Sequence, residues 1–197
     1  MRKLVVLTFA SLDGVMQAPG GKGEDPSGNF DLEGWTVPYF DEFLGNEMAK
    51  QMALPFHLLL GRKTYDIFKP YWSKQKGSEI DMAKKYVVSN GTVNTDWKET
   101  IQIKGDVVGE IKKLKEQDGP MIQVHGSSQL IQTLLANDLV DELWLKIFPV
   151  TLGKGKRLFG EGTIPAAFKL IESKISPSGV IIASYKRDGE LKLGSFT

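Results

Sequence analysis

Two glycine-bearing turns carry the residues best suited to chemistry. Gly61-Arg62-Lys63-Thr64 and His125-Gly126-Ser127-Ser128-Gln129 each stand between an apolar run and a segment patterned as a helix. A strand that passes into a helix through glycine leaves backbone N–H groups free at the helix N-terminus, which suits an anion and above all a phosphate. Arg62 and Lys63 sit where cations oppose the helix macrodipole. They make chemical sense there if an anion neutralises them; the alternative is a solvated surface turn. Two further strand ends, Ala10–Gly14 and Ser89-Asn90, carry polar or turn-forming residues. Two anion sites in one cleft match a ligand with two separated phosphate groups, such as a dinucleotide bearing a pyrophosphate and a 2′-phosphate. Neither turn has the spacing of G-x-G-x-x-G or a P-loop.

Two carboxylates and two aromatics could act beside such a ligand. Glu47 falls within the apolar face of a segment, Pro38–Ala53, that is patterned as a helix with Phe40, Phe43, Leu44, Met48 and Met52; Gln51 lies close beside it. A carboxylate on that face needs a partner or a function. Asp13 is the second acid, in an Asp-Gly turn. Trp35 and Phe40 could wall a planar heterocycle, or simply fill the core. His57, inside an apolar run, reads as a core histidine and His125 as a strand-end residue whose place beside the phosphate turn also allows a cofactor contact. Lys154, Lys156 and Arg157 read as a solvated loop.

The elements that must position these residues follow from periodicity. Lys3–Phe9, Leu54–Leu60, Lys85–Ser89, Met121–Val124 and Asp141–Val150 are short, largely apolar runs that fit strands buried on both faces. Residues 38–53, the segment after Gly61, 106–117 and 127–137 carry helical patterns. The chain then turns to strands at 168–176 and 179–187, joined through Pro177-Ser178-Gly179. Strands alternating with helices predict an α/β fold: a mostly parallel central sheet with helices on both faces and antiparallel strands at the C-terminal end. In such sheets ligands sit beyond the C-terminal strand ends. Residues 17–37 form a glycine-rich loop long enough to be functional or disordered, with its far end packed through Trp35.

Composition removes several alternatives. The 197 residues carry 25 basic and 24 acidic side chains, a formal net charge of +1, so there is no electrostatic case for nucleic acid or an anionic membrane. There is no cysteine, and the two histidines are far apart, which argues against a zinc site. No apolar run is long enough for a membrane span. The basic, then apolar N-terminus meets Asp13 before it completes a signal-peptide pattern. One domain spanning 1–197, in a cytoplasmic protein, is the expectation.

Beyond these features lies a family resemblance. Leu58–Phe68, LLLGRKTYDIF, resembles the strand–Gly-Arg-x-Thr–helix segment of dihydrofolate reductases. Val124–Phe159 is similar to the C-terminal part of the reductase domain of the bifunctional riboflavin-biosynthesis deaminase/reductase. The similarity includes LVDEL at Leu139–Leu143 and the stretch from Pro149-Val150-Thr151-Leu152-Gly153 to Arg157-Leu158-Phe159. Ser11-Leu12-Asp13-Gly14 resembles that domain's first-strand exit, and Gly34–Glu42 resembles a stand-alone subfamily. The zinc motif of the deaminase half is absent.

The resemblance implies a dihydrofolate reductase-like three-layer α/β/α fold and NADPH as cofactor. By position, backbone at Phe9 and Ala10 would hold the nicotinamide carboxamide. Gly61, Arg62, Lys63 and Thr64 would hold the pyrophosphate and adenine-ribose side, with Arg62 and Ser89 near the 2′-phosphate. Gly126, Ser127 and Ser128, leading to Gln129, would receive the pyrophosphate; the family's glycine cluster is here one glycine and two serines. Glu47, or else Asp13, would place the proton. The implied activity is reduction of a small heterocycle, as in 5-amino-6-(5-phosphoribosylamino)uracil reductase, by a homodimer. A nucleotide-binding module without turnover and a true dihydrofolate reductase are the alternatives.

Overall fold

The computed structural model describes residues 1–161 and 163–196. Among them, eight strands form one sheet: β1 (Leu4–Ser11), β2 (Phe56–Gly61), β3 (Lys85–Val88), β4 (Thr100–Ile103), β5 (Met121–Val124), β6 (Glu142–Phe148), β7 (Phe168–Ile175) and β8 (Ile181–Arg187). Their order is β4-β3-β2-β5-β1-β6-β8-β7. The pairings among β1 to β6 are all parallel. β8 runs antiparallel to β6, and β7 antiparallel to β8. The helices are α1 (Glu42–Met52), α2 (Arg62–Trp72), α3 (Glu79–Met82), α4 (Val107–Glu116) and α5 (Ser128–Ala136).

The two-residue repeat of a strand sorts side chains into layers. Leu4 and Val6 of β1 pack with Ile111 and Leu114 of α4 and with Leu130, Ile131 and Leu134 of α5. Val5 and Leu7 face the other way, beside Trp144 and Met52 of α1. In β2, Leu59 joins the first cluster, while Leu58 and Leu60 meet Tyr65 of α2 and Ile80 of α3. Strands covered on both faces need apolar residues at every position, which is why the runs show no alternation.

Helix α1 is shorter than its sequence pattern. Val37–Tyr39 forms a single 3-10 turn around Pro38, and Phe40 is extended (φ −78°, ψ 116°). Asp41 then caps the helix, its carboxylate accepting the Leu44 N–H at 2.8 Å. Phe40 is therefore outside the helix and 49% exposed, and Phe43 is 37% exposed. The inward face of α1 is thus carried by Leu44 and Glu47, with Met48, Gln51 and Met52 half-buried beside them. α3 and β4 lie outside the sequence expectation. Each is four residues long, too short for a period to register; β4 is recognisable through its pairing with β3.

The loop at residues 17–37 is pinned by its own polar groups. The Gln17 side-chain amide donates to the carbonyls of Asp25 and Ser27, both at 2.8 Å, and the Trp35 indole N–H donates to the Gln17 carbonyl. The cations after β6 fasten it from outside: Lys156 pairs with Asp25 at 2.6 Å and Lys154 with Asp31 at 2.7 Å. Arg157 reaches Asp13. These three are struts between segments distant in sequence, which corrects the reading of a solvated loop.

Candidate functional site

A cavity of about 940 Å³ opens at the C-terminal ends of the parallel strands. Its walls come from β1, the loop before α1, the second half of α1, α2, and the turn between β5 and α5. That volume holds a cofactor-sized ligand.

At one end the two glycine turns converge. α2 starts at Arg62 behind Gly61, and α5 at Ser128 behind Ser127; neither N-terminus has a side-chain cap. The N-terminal amides are left without side-chain acceptors, so the helix ends favour an anion. The turns touch: the Gly61 N–H donates to the Gly126 carbonyl at 3.2 Å. A Cβ on Gly61 would lie 2.1 Å from Ser127 Oγ, and one on Gly126 would lie 2.6 Å from Thr64 Oγ1. Gly126 also has φ +154°, a backbone region that disfavours side chains. Only glycine at both places lets the two helix ends approach this closely.

Of the residues expected from sequence, Phe9, Lys63, Thr64, Gly126, Ser127 and Ser128 share the cavity wall. Gly61 supports the turn from behind. Ala10 is buried in β1 and Gln129 lies in the first turn of α5; neither is on the wall. Arg62 is off the wall too, paired with Asp66 at 2.7 Å and donating to the Thr92 carbonyl. Ser89 donates to the Gly91 carbonyl in the same neighbourhood. The two basic residues of the α2 turn already have anions: Asp66 for Arg62 and Asp25, at 2.5 Å, for Lys63.

Both candidate acids are elsewhere. Glu47 is held between Lys174 of β7 at 2.7 Å and Lys50 at 2.6 Å, and the hydrogen bonds from Lys174 and Lys50 lower its carboxyl pKa. It turns toward β7, while Met48, Gln51 and Met52 take the cavity side. Asp13 accepts from the Ser11 hydroxyl and from the N–H groups of Leu152 and Gly153. With the Ser11 bond leading, these outweigh partial burial and hold its pKa at about 2. It is a turn-building carboxylate. Trp35 is buried edge-on against Phe148, off the cavity wall, and Phe40 is at the surface.

The cavity is also lined by Lys146, which sequence reasoning did not single out, and by His125, the residue that leads into the Gly126 turn. Lys146 of β6 is fully buried and lines the cavity, donating to Gln51 Oε1 at 2.5 Å. Burial lowers its pKa to about 7. His125 lines the same space, with Nε2 3.0 Å from Gln123 Oε1 and its ring edge-on to Phe68. Because the Gln123 amide nitrogen faces the Gln51 carbonyl at 3.5 Å, Gln123 Oε1 is the acceptor and His125 Nε2 the donor. Burial, then the Lys146 charge, lowers the His125 pKa to about 3, so the ring is neutral. The available signal was Lys146 itself, a lone cation inside the apolar run ELWLKIF.

This sheet order, with a nucleotide-sized cavity over two converging helix ends, defines a dihydrofolate reductase-like α/β fold. The enzyme of that name from Enterococcus faecalis, in complex with NADP(H) and RAB-propyl, superimposes with a TM-score of 0.61 at 12% identity, over 94% of this chain and 96% of that one. A protein of Shewanella sp. PV-4 described as a riboflavin biosynthesis protein gives a TM-score of 0.67 at 24% identity, over 95% and 99% of the two chains. YyaP of Bacillus subtilis (strain 168), itself uncharacterized, is 33% identical over 197 residues, covering 95% of this chain and 96% of its own length. The RibD C-terminal domain model matches residues 2–182, and the chain belongs to that family. It is a reductase-type protein.

Proposed function

We propose that the protein is an NADPH-dependent reductase of a small heterocyclic substrate, similar in reaction type to 5-amino-6-(5-phosphoribosylamino)uracil reductase. The observation that carries this reading is the meeting of two helix N-termini without side-chain caps, α2 and α5, at a cavity that Lys146 and His125 also line. The nicotinamide dinucleotide would supply the hydride when bound. Gly126, Ser127, Ser128 and Thr64 would take its pyrophosphate, and the backbone at Phe9 would lie along the nicotinamide. Arg62 and Ser89 would take the 2′-phosphate. The Arg62–Asp66 pair is exposed and therefore weak, so a phosphate can replace Asp66. The apolar walls exclude water and orient the reacting ring.

The test is a fluorescence titration with NADPH and with NADH, followed by turnover assays across pyrimidine- and pterin-type heterocycles. Binding of NADPH in preference to NADH, with oxidation by one substrate, is expected; no response to either nucleotide sinks the proposal. Binding without oxidation of any substrate would favour the non-catalytic module. A true dihydrofolate reductase needs a carboxylate beside the pterin, whereas the Gln51 and Lys146 end of this cavity offers an amide and an ammonium. The reading also includes a cytoplasmic location, where NADPH is supplied, and a homodimer formed over the exposed face of β7 and β8.

A further inference from the structure

Among the described residues three lysines are buried: Lys85, Lys115 and Lys146, all at most 5% exposed. Burying an ammonium costs free energy unless acceptors replace its water. Two of the three are supplied by the protein. Lys85 donates to the carbonyls of Asp81 at 2.5 Å and Lys98 at 3.1 Å and lies 4.2 Å from the Trp97 ring centre. Lys115 donates to the Leu139 carbonyl and pairs with Asp141, both at 2.7 Å.

Lys146 differs. Its one hydrogen-bond partner among the described residues is the neutral amide of Gln51, and no carboxylate lies within ion-pair distance. An ammonium carries three donors, so two are left for a ligand. Around it the cavity wall includes Phe9, Met48, Met52 and Phe68, a lining suited to a flat ring. The wall's carboxylates are committed elsewhere: Asp25 to Lys63 and Lys156, Asp66 to Arg62, and Glu24 to the backbone N–H groups of Gly20 and Gly21. Glu79 stands at the head of α3 and is not within ion-pair distance of Lys146.

We infer that Lys146, braced by Gln51, is the substrate-anchoring residue of this cavity, and that it selects planar rings carrying a negatively charged oxygen, either a ring enolate or a ring carboxylate. This rests on the reductase reading only for calling the bound ring a substrate; the recognition chemistry stands on the cavity itself. The lowered pKa of Lys146 fits a site finished by its ligand, since an anion restores the charged form that burial disfavours.

The experiment is isothermal titration of the nucleotide-free protein with three probes: barbiturate, a ring enolate; nicotinate, a ring carboxylate; and 2,4-diaminopyrimidine, a cationic ring when protonated. At least one anionic probe should bind roughly 10- to 100-fold more tightly than the cation, the size of a charge-assisted hydrogen bond. Which anion binds distinguishes enolate from carboxylate. Lys146→Met and Lys146→Gln should lose that preference while keeping the wild-type affinity for NADPH. Equal or tighter binding of the diaminopyrimidine, binding of neither anion, or unchanged anion affinity in a folded Lys146 variant would overturn the inference. The wild-type comparison needs no variant to fold. Anion binding without NADPH binding would leave Lys146 as the anchor and remove the reductase reading instead.

Discussion

Lys146 has a cost that can be measured apart from any ligand. Its folded pKa of about 7 lies below the ordinary lysine value of 10.5, with burial as the cause. Between those values the unfolded chain binds more protons than the folded one, so stability rises with pH across that window, and below about 7 the whole cost is borne. Each unit of displacement is worth about 1.4 kcal/mol. Lys146→Met should therefore raise the melting temperature at pH 6 to 7 and flatten the rise toward pH 10, leaving only the contribution of Lys85, lowered by burial to about 8. The other titratable groups lining this cavity are His125, Lys22, Lys63, Asp66, Tyr71, Glu24, Asp25, Glu79 and Lys156; His125 adds a separate loss of stability as pH falls from 6.5 toward 3. Thermal melts at several pH values check both. Glu47 gives the opposite expectation. Bound by Lys174 and Lys50 and turned from the cavity, it should tolerate Glu47→Gln with NADPH affinity and turnover within about twofold of wild type and a small drop in melting temperature. A tenfold loss of either would return Glu47 to the site. The contrast also shows how far residue chemistry was legible. The periodic pattern put Glu47 on the inward face of its helix, and it is buried there beside Leu44; its main partner, Lys174 of β7, lies 127 residues away, beyond any local pattern. Lys146 was visible as an anomaly in its strand, but its direction depends on β1 and β8 flanking β6, which no local pattern encodes.

At the scale of elements the fold depends on the abutment of α2 and α5. Gly61→Ala keeps an ordinary φ but puts a Cβ 2.1 Å from Ser127 Oγ, 3.0 Å from Ser127 Cβ and 3.1 Å from its N. The variant should lose about 1–3 kcal/mol in urea unfolding, as overpacked sites do, and at least tenfold in NADPH affinity as the N-termini separate. Adding Ser127→Ala removes the hydroxyl and should recover part of each loss, because the Cβ contact at 3.0 Å remains. Full recovery would show that the hydroxyl alone sets the spacing; no recovery would show that the backbone does. A second element-level device is the loop before α1, held to α2 and to the segment after β6 through one carboxylate, Asp25, with Lys63 and Lys156. Burial opposes ionisation of Asp25, but hydrogen bonds from Lys156, Lys63 and Ser27 outweigh it and hold its carboxyl well below the usual range. Asp25→Asn should speed hydrogen exchange across residues 17–37 while β1 and β6 stay protected. Strands and long helices were legible because burial on both faces and amphipathic stripes leave strong patterns. The strap was not, because Asp25 pairs with Lys63 and Lys156 on segments distant in sequence, and all three look like ordinary surface charge there.

The whole sheet ends in two unlike edges. β4 is four residues long, whereas β7 has eight and is exposed along most of its length. A long edge strand with apolar residues is a template for pairing with another chain. The irregularity between Leu170 and Glu172 restores phase, so Leu170 and Ile175 lie on one face of the terminal hairpin, with Ile181 directly opposite Ile175. All three are exposed, Ile175 at 69%. Such a strip on the face of an antiparallel hairpin, rather than scattered apolar residues, is what a second copy would cover. Sedimentation equilibrium should give twice the chain mass of 21.9 kDa at micromolar concentration. Leu170→Lys with Ile175→Lys should give a folded monomer. Because the substituted side chains lie outside the cavity wall, that monomer should bind NADPH with unchanged affinity. A wild-type protein that sediments as a monomer would remove the dimer. A double variant that loses nucleotide binding while still folded would mean that the hairpin and the cavity are coupled through β6, the strand that carries Lys146.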